Sequence, residues 1–86
     1  MRVRVQLFAR LRELAGLSEC ECEVPAGASV EAVWQALCGR HAALAPFSRS
    51  VSCAVNDDFA TMSAAVREGD AIAFLPPVSG GARGDE

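Results

Sequence analysis

Apolar and polar residues alternate at the start of the chain. Val3, Val5 and Leu7 fall on one side of an extended segment, whereas Arg2 and Arg4 fall on the other. A period of two residues is typical of a strand with one buried face. Residues 2 to 8 are therefore predicted to form the first strand.

A second alternating segment runs from residue 19 to residue 24. Cys20 and Cys22 share one face of it, and the other face carries Glu19, Glu21 and Glu23. If the first two strands pair antiparallel, the outward glutamates lie across from the outward arginines of the first strand. The charges therefore favour that pairing.

Helical spacing predicts two helices, one on each side of the second strand. Leu11 and Leu14 share a helical face, and Gly16 is placed as a stop, so residues 9 to 16 are predicted as a short helix. Ser29 is the expected N-cap of the main helix, which ends near residues 39 to 41. Its apolar positions at helical spacing are Val30, Val33, Trp34 and Leu37.

Turn residues divide the second half of the chain into short segments. Residues 42 to 50, which include Pro46, are predicted as a loop, and residues 51 to 55 as the third strand. The turn Asn56-Asp57-Asp58 separates it from a brief fourth strand at residues 59 and 60. Residues 61 to 67 are predicted as irregular or a single helical turn. The apolar residues 71 to 75, which follow the turn Glu68-Gly69-Asp70, form the last strand.

This order of elements predicts an α+β protein. In so short a chain, one helix must cover one face of a mixed sheet. The first and last strands are the most apolar and should lie side by side in the middle. We therefore expect the β-grasp fold of ubiquitin-like proteins, with four to five strands under one main helix and a short helix after the first strand.

The charge balance limits the partners. The 86 residues carry a net charge of −3, without a basic patch, which argues against nucleic acid. No apolar run approaches the length of a membrane span, and the N-terminus does not resemble a signal peptide, so we expect a cytoplasmic protein without a membrane partner. All eight basic residues are Arg, which leaves no side-chain amine for Schiff-base or isopeptide chemistry.

The residues that could carry chemistry are few. The four cysteines include Cys38 and Cys53 and form no Cys-x-x-Cys pair, so we interpret them as small apolar residues, ahead of redox or metal-binding roles. His41 is the only histidine and is expected at the C-terminal end of the main helix. Trp34 is expected in the core, partly buried. We predict neither a metal site nor a bound cofactor.

The C-terminal segment has an unusual order of residues. Pro76 and Pro77 cannot donate ladder hydrogen bonds, so sheet pairing should stop there and the chain should leave the sheet extended. Gly80 and Gly81 are thin enough to enter a narrow channel on a partner. We expect a domain over residues 1 to 78 and a flexible tail over residues 79 to 86.

Three segments identify a resemblance to the MoaD/ThiS family of ubiquitin-like sulfur carriers, of the type found as the small subunit of molybdopterin synthase. The first is Phe8 to Gly16, and the second is Val55-Asn56-Asp57-Asp58-Phe59. The third is the most specific, because it combines a Gly-Asp turn, an apolar strand, a proline pair and Ser-Gly-Gly from residue 68 to residue 81. The resemblance covers residues 1 to 81.

The resemblance implies a specific chemistry at Gly81. An E1-like enzyme consumes ATP to adenylate the terminal glycine, and a sulfur donor then displaces the adenylate to leave a thiocarboxylate. The tail, Pro76, Pro77, Val78, Ser79 and Gly80, carries this group into the large synthase subunit, where the sulfur attacks a cyclic pterin phosphate. The chain would thus be the small subunit of a sulfurtransferase, with no autonomous active site. Phe8, Phe59 and Phe74 are candidates for an apolar docking patch, although each also suits the core.

The sequence departs from the family after the double glycine. Residues 82 to 86 follow Gly81, so its carboxyl group is held in a peptide bond. One hypothesis is a precursor that a protease cuts after Gly81; the other is a binding module that has lost carrier chemistry. A carrier or protein modifier for another pathway, such as cysteine, thiazole or tRNA thiolation, is a further alternative.

Overall fold

The computed structural model describes residues 1–77, which form five strands and two α-helices. The first half contains β1 (Arg2–Leu7), α1 (Ala9–Ala15), β2 (Glu19–Glu23) and α2 (Val30–Arg40). The second half contains a 3-10 helix (Ala42–Phe47), β3 (Ser52–Val55), β4 (Asp58–Ala60) and β5 (Ala71–Leu75). Neither α-helix in this part of the chain is long and apolar enough to cross a membrane.

The strands form one mixed sheet in the order β2-β1-β5-β3-β4. β5 runs parallel to β1 and antiparallel to β3, so the first and last strands are neighbours, as predicted. β1 and β2 pair antiparallel with Arg2 opposite Glu23 and Arg4 opposite Glu21, which confirms the pairing expected from the charges.

The core lies between the sheet and α2. The four apolar positions predicted for the main helix are all buried, and Trp34 is fully buried, not partly as predicted. Its indole ring packs on Phe74 of β5, with 4.9 Å between the ring centroids, and its N–H donates to the Ser48 hydroxyl at 2.8 Å. Leu44 of the 3-10 helix is also fully buried.

Two local predictions need correction. Residues 42 to 50 were predicted as a loop, but they include the 3-10 helix, because the buried Leu44 ties this segment to the core. Ser29 does occupy the N-cap position of α2, yet its side chain makes no capping hydrogen bond. Instead, the N–H groups of Val30 and Glu31 donate to carbonyls of Ala64 and Met62, at 2.9 and 2.8 Å. The segment predicted as irregular thus satisfies the helix end.

Candidate docking face and tail exit

β5 presents two different faces because side chains alternate along a strand. Ile72 and Phe74 are fully buried against the helix side of the sheet, whereas Ala71, Ala73 and Leu75 are half-buried on the outer face. The last strand therefore contributes both to the core and to the outer surface.

The prediction that Phe74 belongs to a docking patch is wrong. Its side chain has no exposed surface and packs on Trp34, so no partner can reach it in the folded protein. The sequence offered a signal, since the larger Ile72 and Phe74 alternate with the smaller Ala71 and Ala73. The outward positions Ala73 and Leu75 were missed because the whole segment is apolar.

The strand register aligns outward side chains in rows across the sheet. Gln6, Ala73, Ala54 and Phe59 lie side by side on β1, β5, β3 and β4. Phe8 follows β1 with an extended backbone (φ −121°, ψ 152°), which brings it level with Leu75 in the next row. We call the residues Phe8, Ala54, Phe59, Ala73 and Leu75 the outer apolar patch.

Two aromatic residues of the outer apolar patch are open to solvent. Phe59 is 82% exposed on the edge strand β4, and Phe8 is 43% exposed at the start of α1. A large apolar side chain that stays exposed to water contributes no burial energy to folding. Groups of exposed apolar residues are typical of interaction surfaces. The exposure of Phe8 and Phe59 is what a docking patch requires.

The outer face changes character at β1 and β2, where it is charged. Arg2 Nε lies 3.0 Å from a Glu23 oxygen and 3.7 Å from a Glu21 oxygen, and Arg4 Nε lies 3.5 Å from a Glu19 oxygen. The hydrogen bond to Glu23 and the nearby carboxylates raise the pKa of the Arg2 guanidinium. These side chains are more than half exposed, so each pair contributes little to stability. Beside the outer apolar patch, two guanidinium groups thus face three carboxylates.

The chain leaves the sheet next to this patch. Strand pairing ends with Leu75 opposite Ser52, followed by the half-buried Pro76 and the exposed Pro77. Pairing thus stops where the proline pair was predicted to stop it. The other predicted tail residues, Val78, Ser79, Gly80 and Gly81, lie outside the described residues.

The thiols sit in or against the core. Cys22 and Cys53 are buried and Cys20 and Cys38 are half-buried, which fits small apolar residues. Burial raises the pKa of the Cys22, Cys38 and Cys53 thiols and keeps them protonated near neutral pH. Residues 1–77 contain no group of three or more potential metal-binding side chains of the His, Cys, Asp or Glu type.

His41 lies at the C-terminal end of α2, as expected. Its backbone N–H donates to the Leu37 carbonyl at 2.7 Å, and its buried Nε2 has no hydrogen-bond partner within the described part of the chain. The neighbouring Arg40 reaches over β2, donating to the Glu21 carbonyl at 3.2 Å and contacting Cys22 Sγ at 3.5 Å. The helix end and the edge strand are thereby tied together.

A mixed five-stranded sheet that holds one main helix, with its last strand in the centre, defines the β-grasp class of ubiquitin-like proteins, as predicted. Within that class, the ThiS family model matches residues 5–81. The chain belongs to the ThiS family. The match extends through both glycines of the predicted tail.

Individual relatives resemble the chain over nearly its whole length. The molybdopterin synthase sulfur carrier subunit of Haemophilus influenzae is 38% identical, covering 92% of this chain and 99% of the relative. The subunit of the same name in Arabidopsis thaliana is 33% identical, covering 94% of this chain and 84% of the relative. The crystal structure of small archaeal modifier protein 1 from Haloferax volcanii is 31% identical with a TM-score of 0.80, covering 90% and 98% of the two chains.

Proposed function

We propose that this protein is a sulfur carrier in molybdopterin biosynthesis and acts as the small subunit of a molybdopterin synthase. The observation that carries the proposal is the position of the outer apolar patch, which lies beside the point where β5 ends and the chain continues toward Gly81. Similarity to sulfur carrier subunits over nearly the full chain supports the pathway.

The reactive group in this proposal is the carboxylate of Gly81. An E1-like enzyme joins it to AMP from ATP with release of pyrophosphate, because a free carboxylate is a poor electrophile. A sulfur donor then displaces AMP at the carbonyl and leaves a thiocarboxylate. Glycine suits this position because a Cβ would hinder attack at the carbonyl. A protease must first remove residues 82 to 86 to free the carboxylate.

The partner in sulfur transfer is the large subunit of the synthase. Phe59 and Leu75 of the outer apolar patch dock on it, and the tail from Pro76 to Gly81 enters its active site. The large subunit binds the cyclic pterin phosphate and supplies the acid and base groups. The small subunit thus contributes the reactive group and an apolar docking face. The exposed side chain of Phe59 supports this role for the outer apolar patch.

A second candidate function is that of a protein modifier or a sulfur carrier for another product. The observation that favours it is the similarity to small archaeal modifier protein 1, at 31% identity and nearly complete coverage. A binding module without carrier chemistry is the third alternative, motivated by the residues after Gly81.

Mass spectrometry of the protein from its native host tests the first step. The proposal expects a species that ends at Gly81 and a fraction of it in which one oxygen is replaced by sulfur. If active cells contain only the full-length chain, the precursor hypothesis is wrong.

Incubating the thiocarboxylate form with the large subunit and cyclic pterin phosphate then distinguishes between the pathways. Sulfur transfer supports molybdopterin synthesis, whereas lysine-linked adducts or thiolated tRNA in cell extracts support the second candidate.

A further inference from the structure

Two turns that belong to the sequence motifs, but that the proposed chemistry does not use, lie against each other in the fold. The turn between β3 and β4 contains Asn56, and the turn before β5 contains Asp70. The Asn56 amide donates to an Asp70 carboxylate oxygen at 3.1 Å. The other Asp70 oxygen accepts the backbone N–H of Arg67 at 2.8 Å. The side chain of Asp70 therefore links its own turn to the turn between β3 and β4.

Asn56 also continues the ladder between β3 and β5. Its backbone N–H donates to the Ala71 carbonyl at 2.8 Å, and its side-chain oxygen accepts the Ala71 N–H at 3.0 Å. The side-chain oxygen thus replaces the backbone carbonyl that a longer β3 would have supplied. Asn56 is suited to this position because its backbone is left-handed (φ 51°), and Asn tolerates that conformation better than most residues.

The hydrogen bonds of Asn56 to Asp70 and Ala71 matter most for β4. β4 has three residues, pairs with no strand of residues 1–77 other than β3, and carries Phe59, whose side chain is 82% exposed and so is not held by the core. Its position is set by the two-residue turn Asn56-Asp57, in which both residues have positive φ, as in the tight turns that favour hairpins. Asn56 fixes that turn to β5.

We propose that Asn56 is a positioning residue that holds the β3–β4 hairpin, and with it Phe59, in a fixed relation to the strand that leads to the tail. The inference rests on the proposed docking of the outer apolar patch. In this proposal Asn56 acts by presenting Phe59 and β5 as one preformed surface, which lowers the ordering cost of binding.

A double-mutant cycle tests the proposal on the full chain, with the large subunit of molybdopterin synthase from the same organism as the probe. Asn56→Asp places a carboxylate against Asp70 and should raise the Kd for that subunit roughly 5- to 10-fold, a typical size for coupled interface positions. In a Phe59→Ala background the same substitution should change Kd less than about 2-fold, because Asn56 acts through Phe59. Urea unfolding of each variant establishes that binding is measured on folded protein.

A charge exchange supplies the rescue. Combining Asn56→Asp with Asp70→Asn restores an amide opposite a carboxylate at unchanged net charge, and should return Kd to within about 2-fold of the parent. Asp58→Asn is the matched control, since it removes a carboxylate from the same hairpin but from a side chain with no hydrogen bond among residues 1–77. It should leave Kd unchanged.

The outcomes separate the two proposals. If Phe59→Ala binds as tightly as the parent, docking through the outer apolar patch is wrong and the role of Asn56 falls with it. If Phe59→Ala weakens binding but Asn56→Asp raises Kd by the same factor with and without Phe59, docking through the patch is supported and the positioning role of Asn56 is overturned. Failure of the charge exchange to restore binding also overturns it.

Discussion

Phe74 and Leu75 are neighbours in one strand, yet substitution of Phe74 should lower stability, whereas substitution of Leu75 should weaken binding. Phe74→Leu removes the ring that packs on Trp34 at 4.9 Å, in a fully buried site. The aromatic pair contributes about 0.5–1.5 kcal/mol, and the residual cavity adds a cost of similar size, so the free energy of unfolding should fall by about 2 kcal/mol. For a domain of this size, that corresponds to roughly 8–16 °C in Tm.

Leu75→Ala is the matched comparison. The Leu75 side chain is half-buried on the outer face, so its truncation should cost about 1 kcal/mol or less in stability. Its effect should appear in binding, because the outer apolar patch loses its contact next to the tail exit. We therefore expect a loss of large-subunit binding without a comparable loss of fold.

Urea denaturation followed by circular dichroism measures both stabilities. The single tryptophan gives an independent signal, since Trp34 is fully buried in the native state. A change below about 0.5 kcal/mol in Phe74→Leu, within the range of ordinary surface substitutions, would refute the assignment of Phe74 to the core. So would a larger destabilisation by Leu75→Ala than by Phe74→Leu.

Three further predictions concern single groups. Ser48→Ala leaves the buried Trp34 N–H without its 2.8 Å acceptor and should lower the free energy of unfolding by about 1–3 kcal/mol, whereas Ser50→Ala, which loses only a 3.4 Å contact, should be nearly neutral in the same urea titration. Burial raises the pKa of the Cys53 thiol, so folding favours its protonated form. The contribution of this thiol to the free energy of unfolding is present below the ordinary pKa of 9.0 and should decline as pH rises past it. Cys53→Ala should make that decline smaller in urea unfolding curves. In a chain ending at residue 81, Gly81→Ala should leave the unfolding curve unchanged and slow thiocarboxylation by a purified activating enzyme relative to the matching Gly81 chain; an unchanged rate would contradict the role of Gly81.

The sequence was sufficient to predict those elements whose hydrophobic pattern fits only one kind of secondary structure. Alternation in β1 and β2 identified both strands, and the outward arginines and glutamates favoured the antiparallel pairing that the structure confirms. The helical spacing of Val30, Val33 and Leu37 gave the buried face of α2. In each case a local period and a long-range interaction favour the same arrangement, so local evidence predicts the global one.

The sequence was insufficient where an element depends on distant residues. The five residues of β5 are all apolar, so the only local guide to their faces is the larger size of Ile72 and Phe74; the pairing of Leu7 with Phe74 decides which side faces the helix. The N–H groups at the start of α2 find carbonyls at Met62 and Ala64, about thirty residues later in the chain. Neither contact leaves a periodic signal near the residues that make it.

The central place of β5 has a consequence for the order of events during synthesis. The strand pairs Arg4 with Ala71, so the sheet joins residues that are translated far apart in time. Proteins dominated by such distant pairings cannot complete their fold until both partners are present. A chain that lacks β5 has no strand to join β1 to β3, and its core lacks Ile72 and Phe74. The sheet can therefore be completed only after the segment that leads toward Gly81 has been synthesised.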